Sequence, residues 1–167
     1  RNTCYRISKS CFKLVGGEPG GGGLAGPPPP FFTDMLTHEL IAAEEADSQW
    51  LMVVLHGLGD SLEGFRWLPG ALDLPWLNYL LVNAPDDYHG GFSWYDIYEN
   101  PAPGVESSRE ALFELLDAQR GAGFPSAQTF QFGFSQGCLM TMEVALRYPR
   151  LLAGCVGVSG YFHEPEQ

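Results

Sequence analysis

The sequence predicts an α/β domain built on a mostly parallel sheet with helices on both faces, and three observations carry that reading. Strand-like and helix-like runs alternate from residue 38 onward, the order a parallel sheet requires because each strand must return past a crossover. The β-rich run Leu51-Met-Val-Val-Leu55 empties directly into His56-Gly-Leu-Gly-Asp60. Finally, only Gly133-Phe134-Ser135-Gln136-Gly137 separates the aromatic run that starts at Thr129 from the apolar run that starts at Cys138, so strand, sharp turn and helix follow without a gap.

Taken in order, His38-Glu-Leu-Ile41 is the first expected strand, with His38 at the surface, and residues 51–55 form the second. A helix is expected over residues 61–72, restarting at Pro69, because proline suits a first helical turn. Residues 77–82 return as a strand stopped by Asn83-Ala-Pro85. The polar, aromatic and glycine-rich stretch 86–104 is too long for a plain connection and predicts the wall of a site. Ser107-x-x-Glu110 has the form of a capping box, which would start a helix carrying Leu112, Leu115 and Leu116 on one face, with Val105 nearby. Gly121 and Pro125 bracket its end. The strand at 129–134, the helix through 138–146 and a last strand at 153–158 complete the visible core.

A Gly-x-Ser-x-Gly pentapeptide in this setting is a nucleophile elbow, since the serine takes a strained backbone conformation and Gly133 and Gly137 let the turn close. Ser135 is therefore the candidate nucleophile. In acyl transfer the developing oxyanion is held by two backbone N–H groups, one from the residue after the nucleophile and one from the loop after an early strand. Gln136 and Leu58 are the expected donors, with Gly57 and Gly59 allowing the loop to approach.

These motifs, with Ser93-Trp-Tyr-Asp-Ile97 and Ser159-Gly160, resemble in order the phospholipase/carboxylesterase family of α/β-hydrolases, which includes acyl-protein thioesterases and small carboxylesterases. The resemblance covers about residues 36–165. It implies an α/β-hydrolase fold and a serine hydrolase acting on carboxylic esters or thioesters through an acyl-enzyme on Ser135. It also implies that Trp94 and Asp96 buttress the catalytic face; a plain reading of the residues has the aromatics covering the sheet edge and Asp96 capping a turn.

In this fold order the acid and the histidine follow the serine. After Ser135 the chain has no aspartate, its only histidine is His163, and its acids are Glu143, Glu164 and Glu166. None of these makes an acid anchored behind a histidine. The domain at 35–167 is thus expected to be the N-terminal part of the hydrolase, incomplete at the C-terminus, with its triad Asp and His beyond residue 167 and the 167 residues alone inactive. A second function class stays open: a non-catalytic module of the same fold that binds a small acyl ligand.

His56 can be read as a base, but its neighbours favour a structural role, hydrogen-bonding the loop that positions Leu58. His89, beside Asp86 and Asp87, matches no zinc or calcium spacing and reads as a solvated loop. No metal and no cofactor are expected.

Composition narrows the partners. The net charge is −11, and residues 31–167 hold five of the nine basic and 19 of the 20 acidic residues. That balance disfavours nucleic acid and anionic membranes as partners; a small-molecule ester or thioester is the partner the resemblance implies. Cys4, Cys11, Cys138 and Cys155 have no metal or redox spacing, and the last two fall in a helix and a strand expected to be buried, which favours a reducing, cytoplasmic setting. No apolar run is long enough to span a bilayer, and no signal-peptide block opens the chain. Residues 1–34, rich in glycine and carrying Pro27 to Pro30, are expected to be disordered.

Overall fold

The structure, a computed structural model, describes residues 36–161. The Gly/Pro-rich segment with Cys4 and Cys11, and the tail with His163, Glu164 and Glu166, lie outside the described residues.

Five strands form the main sheet: β1 (His38–Ile41), β2 (Trp50–Leu55), β3 (Leu77–Val82), β6 (Thr129–Phe134) and β7 (Gly154–Val158), in the order β1-β3-β2-β6-β7. Only β1 runs antiparallel to its neighbour; β3, β2, β6 and β7 are mutually parallel. Strands β2 and β3 are buried on both faces, which is why they read as unbroken apolar runs rather than as alternating ones.

Alternate residues of these strands serve two cores. Leu51, Val53, Leu55, Leu80 and Val82 pack beneath α2 (Pro101–Gly121) and α3 (Gln136–Arg147). Met52, Val54, Tyr79 and Leu81 face the other way, toward a 3₁₀ turn at Leu62–Phe65 and the short α1 (Leu68–Leu72). Helical elements therefore cover both faces, as expected. The expected helix at 61–72 is instead these two pieces, because Pro69 sits in the first turn of α1 and cannot continue the 3₁₀ bonds before it.

One further expectation gains detail and another is corrected. The stretch 86–104 holds a two-stranded ribbon, β4 (Asp86–Tyr88) and β5 (Gly91–Ser93), turned by His89 and Gly90, both with positive φ (47° and 90°), the signature of a type I′ hairpin. Helix α2 begins at Pro101, not near Ser107, with Asn100 as its cap residue; Ser107 lies exposed within the helix and caps nothing. The prolines at 101 and 103 are tolerated there because first-turn N–H groups have no intrahelical acceptor to lose. Gly104 has a packing reason, since a Cβ there would come within 2.9 Å of Tyr95 Cβ. The apolar face expected on this helix is present: Val105, Leu112, Leu115 and Leu116 are all buried.

Cys138 is buried and Cys155 is exposed, against the expectation that both would be buried. Among the described residues β7 is the last strand of the sheet, so its side chains lack a neighbour on one flank, and Val156 and Val158 are also exposed. No helix of the described residues is long and apolar enough to cross a membrane.

Candidate active site

Because β2, β3 and β6 are parallel, the chain leaves all three at one end of the sheet, the end where ligands bind in open α/β folds. Ser135 stands at the β6 exit. Its φ of 52° and ψ of −113° are unusual for a residue with a side chain. Bonds on both sides hold it there: its N–H donates to the Val158 carbonyl (2.9 Å), and its carbonyl accepts from the N–H groups of Cys138 (3.0 Å) and Leu139 (3.4 Å). The half-buried serine is thus fixed between β7 and the first turn of α3.

Strain of this kind costs about 1–3 kcal/mol, whereas glycine gives back roughly 0.5–1 kcal/mol of extra backbone entropy. Ser135→Gly is therefore expected to be more stable than Ser135→Ala by about 1 kcal/mol, read from denaturant midpoints. A less stable glycine variant would mean that the turn stores no strain.

The flanking glycines are required by proximity. A Cβ on Gly133 would overlap the Gly137 carbonyl and the Thr141 hydroxyl, and one on Gly137 would overlap the Leu55 carbonyl and lie 2.6 Å from that of His56. Gly57 brings the β2 exit loop against the elbow, since its Cβ would lie 3.1 Å from the Phe134 ring and 3.3 Å from Ser135 Cβ. Leu58 follows directly. Among the described residues neither the Leu58 N–H nor the Gln136 N–H has a backbone acceptor; the latter opens α3, where helix geometry supplies none.

His56 is fully buried, and its ring joins two loops. Nε2 accepts the Ala84 N–H (3.0 Å), so the proton resides on Nδ1, which donates to the Gly57 carbonyl (2.7 Å). With both nitrogens engaged, the ring has no lone pair for Ser135. The ring bonds the backbone of the loop that carries Leu58, and the general-base reading is left without support. Burial holds its pKa below the ordinary 6.5, outweighing the opposing pull of the Gly57 carbonyl and of Asp60.

The sign of the consequence follows. Below about pH 6.5 the unfolded chain binds a proton that the fold refuses, so stability falls on acidification by at most about 1.4 kcal/mol per pH unit from this group. Unfolding midpoints should drop between pH 7 and 5.5, and His56→Gln should flatten that dependence. Equal slopes in both proteins would assign the effect to other groups.

The rest of the loop is held by the ribbon. Gly59 N–H donates to the Phe92 carbonyl and Phe92 N–H to that of Asp60, both at 2.9 Å, while a Cβ on Gly91 would overlap Gly59. Asp60 caps the Ser61 N–H (2.8 Å), and Gly59 itself has φ +75°, a conformation that suits glycine. The Ser159-Gly160 turn closes the other flank, where a Cβ on Gly160 would overlap Cys138.

Trp94 is buried, and its indole N–H donates to the His56 carbonyl (2.9 Å). Asp96 is exposed and accepts the Tyr98 N–H (2.8 Å), the turn-capping arrangement. Together with Leu58, Tyr88, Ser93 and Tyr98 it lines a cleft of about 280 Å³. Ser135 does not line that cleft. The buried Glu143 is committed to Arg147 (2.8 Å) and Arg109 (3.5 Å), an ion pair between α2 and α3. His89 is exposed, its ring edge-on to Tyr88, and no three metal-binding side chains cluster among the described residues.

One group escaped the sequence reading. The Gln136 side chain, 3% exposed, accepts the Trp94 N–H through Oε1 (2.8 Å) and donates from Nε2 to the Tyr95 carbonyl (2.6 Å) and to Ser93 Oγ (3.2 Å). A glutamine directly after the serine was the available signal. A side chain able to donate and accept at once suits a junction between two backbone segments.

The phospholipase/carboxylesterase family profile matches residues 36–167. The chain belongs to the phospholipase/carboxylesterase family. It is 34% identical over 123 residues to acyl-protein thioesterase 1 of Schizosaccharomyces pombe, covering 66% of this chain and 55% of the relative. It is 32% identical over 140 residues to the Candida albicans protein of the same name, covering 72% of this chain and 61% of the relative. The crystal structure of esterase PE8 superposes with a TM-score of 0.67 at 27% identity, over 76% of this chain and 65% of that one. This member thus spans between half and two thirds of the length of these phospholipase/carboxylesterase relatives.

Proposed function

We propose that Ser135 is the nucleophile of a hydrolase that cleaves carboxylic esters or thioesters through an acyl-enzyme. The observation that carries this reading is the constrained, positive-φ turn at Ser135 with the Gly57-Leu58 loop packed against it. Ser135 Oγ gives up its proton and attacks the acyl carbonyl carbon, and the N–H groups of Leu58 and Gln136 receive the negative charge that forms on the carbonyl oxygen. Collapse of this adduct breaks the C–O or C–S bond, expels the protonated alcohol or thiol and leaves an acyl-enzyme that water hydrolyses to the acid. Each such donor contributes about 3–4 kcal/mol when both aim at one point. The family membership and the acyl-protein thioesterase names of the two yeast relatives support the acyl substrate class.

Proton transfer needs an imidazole, and the buried His56 cannot supply it, because both of its nitrogens are engaged. The triad Asp and His are assigned to sequence beyond residue 167, and the 167 residues alone should show background hydrolysis only. Treating the intact protein with a fluorophosphonate probe and mapping the adduct by mass spectrometry tests the assignment. Modification of Ser135 is expected. An adduct on another residue moves the nucleophile, and an intact protein that takes no adduct and hydrolyses nothing is a ligand-binding module instead.

A further inference from the structure

We propose that the Gln136 side chain is a positioning residue which, acting through Trp94, holds the two oxyanion amides in register with one another. The inference rests on the reading of Ser135 as nucleophile and adds a physical link between the halves of its site. Those halves belong to loops far apart in sequence: Gln136 opens α3 after β6, and Leu58 follows β2. The parallel pairing of β2 with β6 ends at Leu55 and Gly133, before either amide is reached, so the sheet alone does not fix their separation.

A chain of hydrogen bonds spans the gap. Gln136 Oε1 accepts the backbone N–H of Trp94 (2.8 Å); the Trp94 indole N–H donates to the His56 carbonyl (2.9 Å); and the His56 ring donates to the Gly57 carbonyl (2.7 Å) while accepting the Ala84 N–H (3.0 Å). Gln136 Nε2 holds the same segment a second time at the Tyr95 carbonyl (2.6 Å), and Ser108 Oγ of α2 donates to the Trp94 carbonyl (2.5 Å). Gln136, Trp94, His56 and Ser108 are all at most 3% exposed, so water offers these groups no ready replacement partner.

The links act in series. Cutting one loosens the elbow's hold on the loop carrying Leu58, which its ribbon bonds to Phe92 still retain, and cutting a second adds little. This differs from a set of independent packing contacts, whose losses would add.

Two near-isosteric variants test it. Gln136→Met removes both polar ends of the glutamine, and Trp94→Phe removes the indole N–H while keeping an aromatic ring. Hydrogen exchange measured by mass spectrometry should quicken at residues 57–60 in both variants, although Gln136 makes no hydrogen bond to that loop. In the intact protein, p-nitrophenyl butyrate hydrolysis should lose about ten- to a hundredfold in kcat with KM nearly unchanged, the range expected when an oxyanion donor is misaimed. The double variant should be no slower than the worse single one.

Unchanged exchange at 57–60 in Gln136→Met overturns the proposal, as do multiplying losses in the double variant, or looser exchange with kcat intact. Should Gln136→Met fail to fold, Trp94→Phe carries both readouts. The exchange result does not depend on hydrolysis: activity surviving in Ser135→Ala would sink the assignment of the nucleophile while leaving the measured coupling between the loops in place.

Discussion

Ser135→Ala in the intact protein is expected to lower turnover of p-nitrophenyl butyrate about 10⁶-fold and to abolish fluorophosphonate labelling. The size follows from the chemistry, because removing the attacking oxygen of a serine triad leaves only the roughly 10³–10⁴-fold acceleration over water that an oxyanion hole and binding supply. The fold should survive. Alanine loses one hydroxyl for which the described residues offer no hydrogen-bond partner, and the backbone bonds to Val158, Cys138 and Leu139 do not involve the side chain. A melting temperature close to that of the parent, together with lost labelling, would therefore assign the effect to chemistry rather than to unfolding. Labelling that persists undiminished in the variant would refute the role given to Ser135.

The strands were the most legible part of the fold, for a physical reason. A parallel strand covered on both faces must be apolar at every position, so residues 51–55 and 77–82 announce themselves, and the observed bounds differ by at most the single residue Trp50. Residues 129–134 are bounded as read, and the last strand begins one residue later, at Gly154. Where proline and glycine carry the pattern, legibility drops. Pro101, Pro103 and Gly104 look like loop residues, yet they form the first turn of α2, where the proline N–H groups are not missed and the absent Cβ admits Tyr95. The His89-Gly90 turn was hidden for the opposite reason: a residue with a side chain at positive φ leaves no composition signal strong enough to mark a hairpin.

The candidate site was legible at its backbone and opaque at its side chains. Gly133 and Gly137 mark places where a Cβ would collide, Gly59 has positive φ, and Gly57 admits a close approach to Phe134 and Ser135; glycine is the one residue whose presence records such a need directly. Gln136, in contrast, was identified for its N–H alone. The work of its side chain depends on Trp94 and Tyr95, some forty positions away, and no local pattern states which distant backbone a buried amide will meet. Asp96 shows the converse. A motif placed it near the site, while its hydrogen bond to Tyr98 N–H makes it a turn residue at the rim of the cleft beside Leu58.

Gly137→Val is expected to destabilise the domain by about 3 kcal/mol or more, the upper range for overpacking, because the atoms in the way cannot retreat. Its Cβ would overlap the Leu55 carbonyl and lie 2.6 Å from that of His56, both backbone atoms at the exit of β2. Leu55 pairs with Val82 on one side and Gly133 on the other, so displacing its carbonyl opens the centre of the sheet. Gly121→Ala supplies the contrast. Nothing lies within 4 Å of its would-be Cβ at the end of α2, and alanine there should stabilise by about 0.5–1 kcal/mol through helix propensity alone. Denaturant unfolding of both variants beside the parent measures the difference. If Gly137→Val unfolded at the parental midpoint, α3 would not rest against the β2 exit, and the close approach of that exit loop to the elbow at Ser135 would have to be abandoned.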